Sequence, residues 1–214
     1  MSYDKDFVAE LVRKVMDEYG GSAEGDTVPV GVSNRHIHLS KADLETLFGT
    51  GYELTPLKEL SQPGQYACKE LLTIVGPSLR AIENVRVLGP VRSASQVEIS
   101  RTDSFVLKVK PPVRESGDIA GSAPITIIGP KGALTLKEGC IIANRHIHMS
   151  ELDGKHFGVR DGDYVTVDVN GERRTTFYDV QVRVSDKFRL EMHVDTDDAN
   201  AAGIGNGAKV TLRK

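Results

Sequence analysis

The octapeptide SNRHIHLS at Ser33–Ser40 returns as ANRHIHMS at Ala143–Ser150, identical at six of eight positions. His146 follows His36 by 110 residues (146 − 36 = 110). Four of the chain's six histidines sit in these two words. Such a repeat restricts the chain to an architecture that can be built twice. In an extended strand alternate side chains share a face, so His36 and His38 point one way, as do His146 and His148. Two imidazoles on one face can share a metal ion. The expectation is a duplicated fold with two metal half-sites.

The length of 214 residues accommodates two units of about 100 residues each. A net charge of −3 gives no sign of a nucleic-acid surface. No apolar run reaches the length of a membrane span, and MSYDKDF lacks the basic start and apolar stretch of a secretory signal. The only two cysteines, Cys68 and Cys140, suit a reducing cytosol and are too few for a disulfide framework or a four-cysteine zinc site. Cys140 lies six residues before His146 on the same strand parity, which leaves open that it faces the site.

Residues Asp4–Tyr19 read as an amphipathic helix. Phe7, Val8, Leu11, Val12, Val15 and Met16 form its apolar stripe, and Gly20-Gly21 ends it. Such a helix docks either on its own domain or on a partner protein. From Thr27 onward short β-branched runs alternate with Gly, Pro and Asn turns, among them VPVGVS, NVRVLGP, QVEIS and DVQVRVS. This texture predicts a mainly β fold, sandwich or barrel. Short helices are expected at Lys41–Phe48 and Glu151–Phe157, each after a serine cap with an aspartate three residues on. The Pro- and Gly-rich stretch Lys110–Pro124 divides the rest. The expected units are 1–26 (helix and linker), 27–115 and 116–214, with the C-terminal strand free to cross back.

The repeat extends beyond the words. At an offset of 95, Val85 meets Val180, Val87 meets Val182, Asp103 meets Asp198, and Glu98 meets His193. Glu and His are both metal-ligand types. One half then offers His36, His38 and Glu98, and the other His146, His148 and His193; other pairings of the six stay open on the sequence alone. Three protein ligands with an open position is the pattern of a catalytic ion. The two-histidine, one-carboxylate half also suits iron, so the residues leave the metal open. There is no G-x-S-x-G elbow and no Walker loop. Arginines near the ligand strands (Arg35, Arg86, Arg92, Arg101, Arg145) are candidates for gripping an anion.

VPVGVSNRHIHLS, LSQPGQYACKE, NVRVLGPVRSASQVEISRTD, CIIANRHIHMS and RLEMHVDTDDANAAG together resemble the PduL-type phosphate acyltransferases, from about Val28 to the C-terminus. The resemblance implies two β-barrel domains with short capping helices and a two-zinc site between them. It implies transfer of an acyl group, acetyl or propanoyl, between coenzyme A and phosphate. Carried over, one zinc falls to His36, His38 and Glu98, and the second to His146, His148 and His193. Arg92 takes the catalytic, phosphate-contacting position, and Val32, Ser33, Asn34, Lys58, Arg86 and Asn200 the coenzyme A surface. Asp4–Tyr19 looks like the encapsulation peptide that routes such enzymes into a bacterial microcompartment, through contact with shell or cargo. A homo-oligomer in the cytoplasm is expected, with no membrane or nucleic-acid partner. Two rivals share part of the language: a two-domain cupin-like metal oxygenase, and a dizinc hydrolase that gives the acyl group to water.

Overall fold

The computed structural model describes residues 27–213, so the helix expected at Asp4–Tyr19 lies outside the described residues. The chain runs β1 (Thr27–Ser33), β2 (His36–His38), α1 (Lys41–Phe48), β3 (Pro56–Glu59), β4 (Tyr66–Val75) and β5 (Ala81–Gly89). It continues through β6 (Gln96–Glu98), α2 (Arg101–Leu107), β7 (Val113–Arg114), β8 (Ala123–Ile128) and β9 (Ala133–Ala143). The remainder is β10 (His146–Met149), α3 (Glu151–Phe157), β11 (Tyr164–Val169), β12 (Thr175–Val184), β13 (Glu191–Asp195), α4 (Thr196–Ala202) and β14 (Lys209–Arg213). The expected mainly β fold with short helices is what forms. No helix among the described residues is long and apolar enough to cross a membrane.

The strands close into two six-stranded barrels. One ring runs β1-β13-β10-β12-β11-β14 and back to β1. The other runs β4-β5-β2-β6-β9-β8 and closes because β8 pairs both β9 and β4; β3 and β7 lie outside it, on β4 and β9. The pairing pattern is the same in both. β2–β5 and β6–β9 are parallel, as are β10–β12 and β13–β1. Closing a sheet removes its edges, which otherwise invite pairing with other chains.

Strand pairing does not run with the cut expected between residues 115 and 116. β1 belongs to the second barrel, and β8 with β9 completes the first. The strand that crosses is β1, not the C-terminal strand. β1 and β9 each lead directly into a histidine word, and each closes the barrel of the other copy. A repeat reveals which segments are equivalent, not which copy each one pairs with.

The central isoleucine of each word is fully buried in its own barrel. Ile37 packs among Val85, Val87, Val97 and Ile125, and Ile147 among Val28, Val180, Val182 and Met192. The two-residue period then turns both histidines of each word away from the barrel interior. Truncating either isoleucine to alanine costs about 2–5 kcal/mol. Each of the four helices among the described residues starts on a cap-x-x-Asp motif: Ser40 with Asp43, Ser100 with Asp103, Ser150 with Asp153 and Asp195 with Asp198. Such a cap contributes about 1 kcal/mol. The helices after Ser40 and Ser150 are where the sequence predicted them. Those after Ser100 and Asp195 were not expected, although the same motif marks them.

Candidate metal centre between the two barrels

The letters shared by the two words have structural tasks. The Asn34 carbonyl accepts a hydrogen bond from His36 Nδ1 at 2.8 Å, and the Asn144 carbonyl does the same for His146 at 2.8 Å. A ring whose Nδ1–H is so engaged presents Nε2 as its lone pair. Arg35 binds both oxygens of Asp103 at 2.8 and 2.9 Å, and Arg145 binds Asp198 at 3.2 Å. These two arginines are therefore tied to the starts of α2 and α4 by ion pairs. The serine that ends each word caps the next helix.

The third ligand arrives from the antiparallel neighbour. Glu98 on β6 lies directly opposite His36, and His193 on β13 directly opposite His146. The structure thus brings His36, His38 and Glu98 together, and His146, His148 and His193 together, with the ligand atoms of each set within 4.8 Å of one another. His36 Nε2 stands 3.4 Å and His38 Nε2 3.9 Å from the Glu98 carboxylate. The rings of His146 and His148 lie 5.1 and 4.8 Å from that of His193.

Five of the six donors are buried and His193 is half-buried, and burial shapes the protonation of the five. Burial holds His38 down to about 3, aided by neighbouring His36. Burial likewise lowers His146 to about 4, with His193 contributing, and pushes His148 lower still. Burial also opposes charge on His36, but adjacent Glu98 outweighs it and raises the ring. Burial would raise Glu98, yet His36 and its hydrogen bond keep the carboxyl far below the usual range. His146 and His148 are therefore neutral imidazoles in the second triad, and the first triad is a carboxylate among imidazoles. Both triads are donor sets for a divalent cation. Two buried ring nitrogens, His38 Nδ1 and His148 Nδ1, have no well-formed hydrogen bond among the described residues. A buried polar atom left so costs about 1–3 kcal/mol. A bound ion in each triad fits these residues.

Both triads and Arg92 line one cavity of about 270 Å3 between the barrels. Arg92 donates to Ser116 Oγ at 3.1 Å, and Ser116 donates to Glu98 Oε1 at 2.7 Å. Of the residues assigned to coenzyme A, Ser33 and Asn34 line the cavity, whereas Val32, Lys58, Arg86 and Asn200 do not. Lys58 and Asn200 are exposed. Arg86 donates to the carbonyls of Cys68 and Lys69. Cys140 does not face the cavity; it and Cys68 are fully buried in the first barrel's core. Burial pushes Cys140 up to about 12 and, with Glu70, Cys68 to about 11, so both thiols stay protonated near neutral pH.

Several residues at or beside the cavity were missed. Arg183 lies opposite His148 on β12, faces the cavity and stands over the Phe188 ring at 5.9 Å. The stretch Lys110–Pro124 is more than a spacer: Glu115 accepts from Gln181 at 2.5 Å, and Ser116 anchors Arg92. Gln96 and Glu191 sit two residues before the third ligands and so share their faces. The offset of 95 that pairs Glu98 with His193 also pairs Gln96 with Glu191 (96 + 95 = 191), and was the signal available.

A family model described as phosphate propanoyltransferase matches residues 29–205. A phosphate propanoyltransferase of Lachnoclostridium phytofermentans is 58% identical over 207 residues, 97% of each chain. One from Thermotoga maritima is 60% identical over 203 residues, 94% of this chain and 96% of that one. One from Salmonella typhimurium is 49% identical over 204 residues, 95% and 94%. With both histidine words and all six candidate ligands inside the matched region, the chain belongs to the phosphate propanoyltransferase family.

Proposed function

We propose that the protein is a zinc-dependent phosphate acyltransferase that interconverts acyl-CoA plus phosphate with acyl phosphate plus coenzyme A, one ion held by each triad. The observation that carries this reading is the meeting of two unlike triads and Arg92 at one cavity. When bound, the ions supply Lewis-acid charge for the thioester carbonyl oxygen and the departing thiolate. His36, His38 and Glu98 hold one, and His146, His148 and His193 the other.

Arg92, steadied by Ser116, grips phosphate through its planar fork, and Arg183 adds positive charge from the opposite barrel. A phosphate oxygen bonds to the carbonyl carbon, the carbon–sulfur bond breaks, and coenzyme A leaves as thiolate. Fixing both reactants supplies much of the rate. No acyl-enzyme forms; the buried position of both cysteines supports direct transfer. Leu60, Leu88 and Phe188 give the cavity an apolar wall for a short acyl chain such as acetyl or propanoyl. A space of this size takes the thioester end and phosphate, and the remaining cofactor runs outward past Ser33 and Asn34. Val32, Lys58, Arg86 and Asn200 are assigned to that outer path. We assign Asp4–Tyr19 to docking inside a bacterial microcompartment; fusing residues 1–26 to a fluorescent reporter tests that.

The decisive measurement is thiol release from acetyl-CoA and propanoyl-CoA with and without phosphate. Release is expected to require phosphate, to stop after chelation and to return with zinc. Release into water without phosphate means a hydrolase, and release that survives chelation removes the ions from the reaction.

A further inference from the structure

With the two arginines given to phosphate, and Ser33 and Asn34 to the cofactor, the cavity keeps one apolar corner, made by Leu60, Leu88 and Phe188. Ile99 and Val194 also touch the cavity but are buried in the barrel cores. The corner adjoins both triads. Leu88 follows Val87, the cross-strand partner of Ile37, and so comes level with His38. The Phe188 ring lies 4.3 Å from the His148 ring, and the Arg183 guanidinium stands 5.9 Å from its centre. Phe188 is therefore placed by contacts to a candidate ligand and to a cavity arginine.

The loops that carry Leu60 and Phe188 come from different barrels and are tied together. Gln62 is buried; its amide donates to the Arg189 carbonyl at 3.0 Å and accepts from the Arg189 N–H at 3.2 Å. Beside it, the Ser61 hydroxyl donates to Glu191 on β13. Within the first loop, the Leu60 N–H donates to the Gln65 carbonyl at 2.9 Å, and the Gln65 N–H to the Gln62 carbonyl at 3.2 Å. Leu60 thus stands two residues before the clamping glutamine, and Phe188 one residue before the clamped backbone. A side-chain amide that satisfies both backbone groups of a residue holds it as a strand partner would. The clamp fixes the space between Leu60 and Phe188.

We propose that Leu60 and Phe188 determine the acyl chain length the site accepts, with the Gln62 clamp setting the space between them. The inference rests on the acyltransferase reading of the site. In that reading the thioester carbonyl faces the two triads, phosphate faces the arginines, and the cofactor leaves past Ser33 and Asn34. The apolar corner is what remains for the acyl chain. A chain turned elsewhere would strip water from charged groups and give them no partner in return. A wall held from both barrels does not yield to an added methylene as a free loop does. One methylene against such a wall changes kcat/KM by about 10–200-fold.

The test is kcat/KM for phosphate-dependent thiol release from acetyl-, propanoyl-, butanoyl- and hexanoyl-CoA. The readout is the ratio between chains, which does not depend on how much of a variant is folded. Wild type should fall about 10-fold or more from propanoyl to butanoyl. Phe188→Ala and Leu60→Ala should each raise the butanoyl-to-propanoyl ratio about 10-fold or more, and Phe188→Leu should move it the same way by less. Gln62→Ala frees the loops but keeps both side chains, and should raise the ratio by less than either alanine at the wall. An unchanged ratio in Phe188→Ala or in Leu60→Ala overturns the proposal. So does a Phe188→Ala variant whose only change is a higher KM for phosphate, because that assigns the ring to holding Arg183. An unchanged ratio in Gln62→Ala overturns the clamp. A wild type that releases no thiol from any of these esters in the presence of phosphate overturns the acyltransferase reading itself, a separate outcome.

Discussion

The two barrels share one strand-pairing scheme, one histidine word and one capping motif, yet their sites are chemically unlike. The first ends in a carboxylate braced by an amide donor, the second in an imidazole braced by a carboxylate acceptor. The duplicated scaffold delivers three donors to equivalent places, and two positions per half, 96 and 98 against 191 and 193, make the difference. A ligand cannot be exchanged alone in such a site. Its partner must change hydrogen-bonding sense with it, or a buried polar atom is left unmatched.

The largest expected effect comes from disabling one half at a time. His38→Ala and His148→Ala should each lose one of two ions and lower phosphate-dependent thiol release by ~10^3-fold or more, since each removes a fixed charge from the reacting centre. Elemental analysis and the thiol assay on the same samples check this. If one variant stays active with a single ion, the halves do not share the reaction and the comparison breaks.

Next come the two cavity arginines, one from each barrel. Arg92→Ala should raise the KM for phosphate about 10–100-fold, the worth of a charge-assisted hydrogen bond. Arg183→Ala should raise it less, about 10-fold, because Arg92 and its Ser116 anchor remain. Steady-state kinetics in phosphate decide the order. A larger effect at Arg183 shifts phosphate toward the second triad.

The arginines of the words give a smaller contrast, in stability. Arg35 makes two bonds to Asp103, whose side chain is 4% exposed; Arg145 makes one, at 3.2 Å, to Asp198, which is 26% exposed. Arg35→Ala should cost about 2 kcal/mol, less than a fully buried pair because Arg35 is itself about one-third exposed. Arg145→Ala should cost about 1 kcal/mol or less. Thermal melts should separate the two by a few degrees. Neither should alter the phosphate KM, since both guanidinium groups are bound to aspartate.

Much of this was legible because it is local. The histidine words reported their own strands, their serines reported the helices at Lys41 and Glu151, and the offset of 95 matched Glu98 to His193. What was hidden depends on spatial partners. Nothing in the order of residues says that β1 closes the second barrel, since β1 and β9 are equivalent and either copy can supply the strand. Arg183, Ser116 and Ser61 carry no motif, and reach the site only because barrel closure and the 110–124 stretch bring them there. Cys140 shows the limit of parity. It shares a phase with His146, but a turn separates β9 from β10, and the thiol ends in the first barrel's core.

The smallest contrast lies where the helices that follow the third ligands end. Both close on a residue in the left-handed region: Lys108 at φ 57° after α2, and Gly203 at φ 64° after α4. Glycine adopts this conformation without a Cβ penalty, whereas lysine does not. Lys108 is exposed, so replacing it removes strain without opening a cavity. Lys108→Gly should therefore stabilise the protein by up to about 1 kcal/mol, a gain partly offset by the greater freedom of glycine in the unfolded chain. Gly203→Ala should lose about 1 kcal/mol or more, because its Cβ would also stand 3.3 Å from the Arg173 nitrogen and the Glu172 Cβ. Urea titrations of the two variants should move in opposite directions, with unchanged slopes. If both variants are destabilised, Lys108 holds the end of α2 through its side chain, and the two halves differ at this cap as they do at their third ligands.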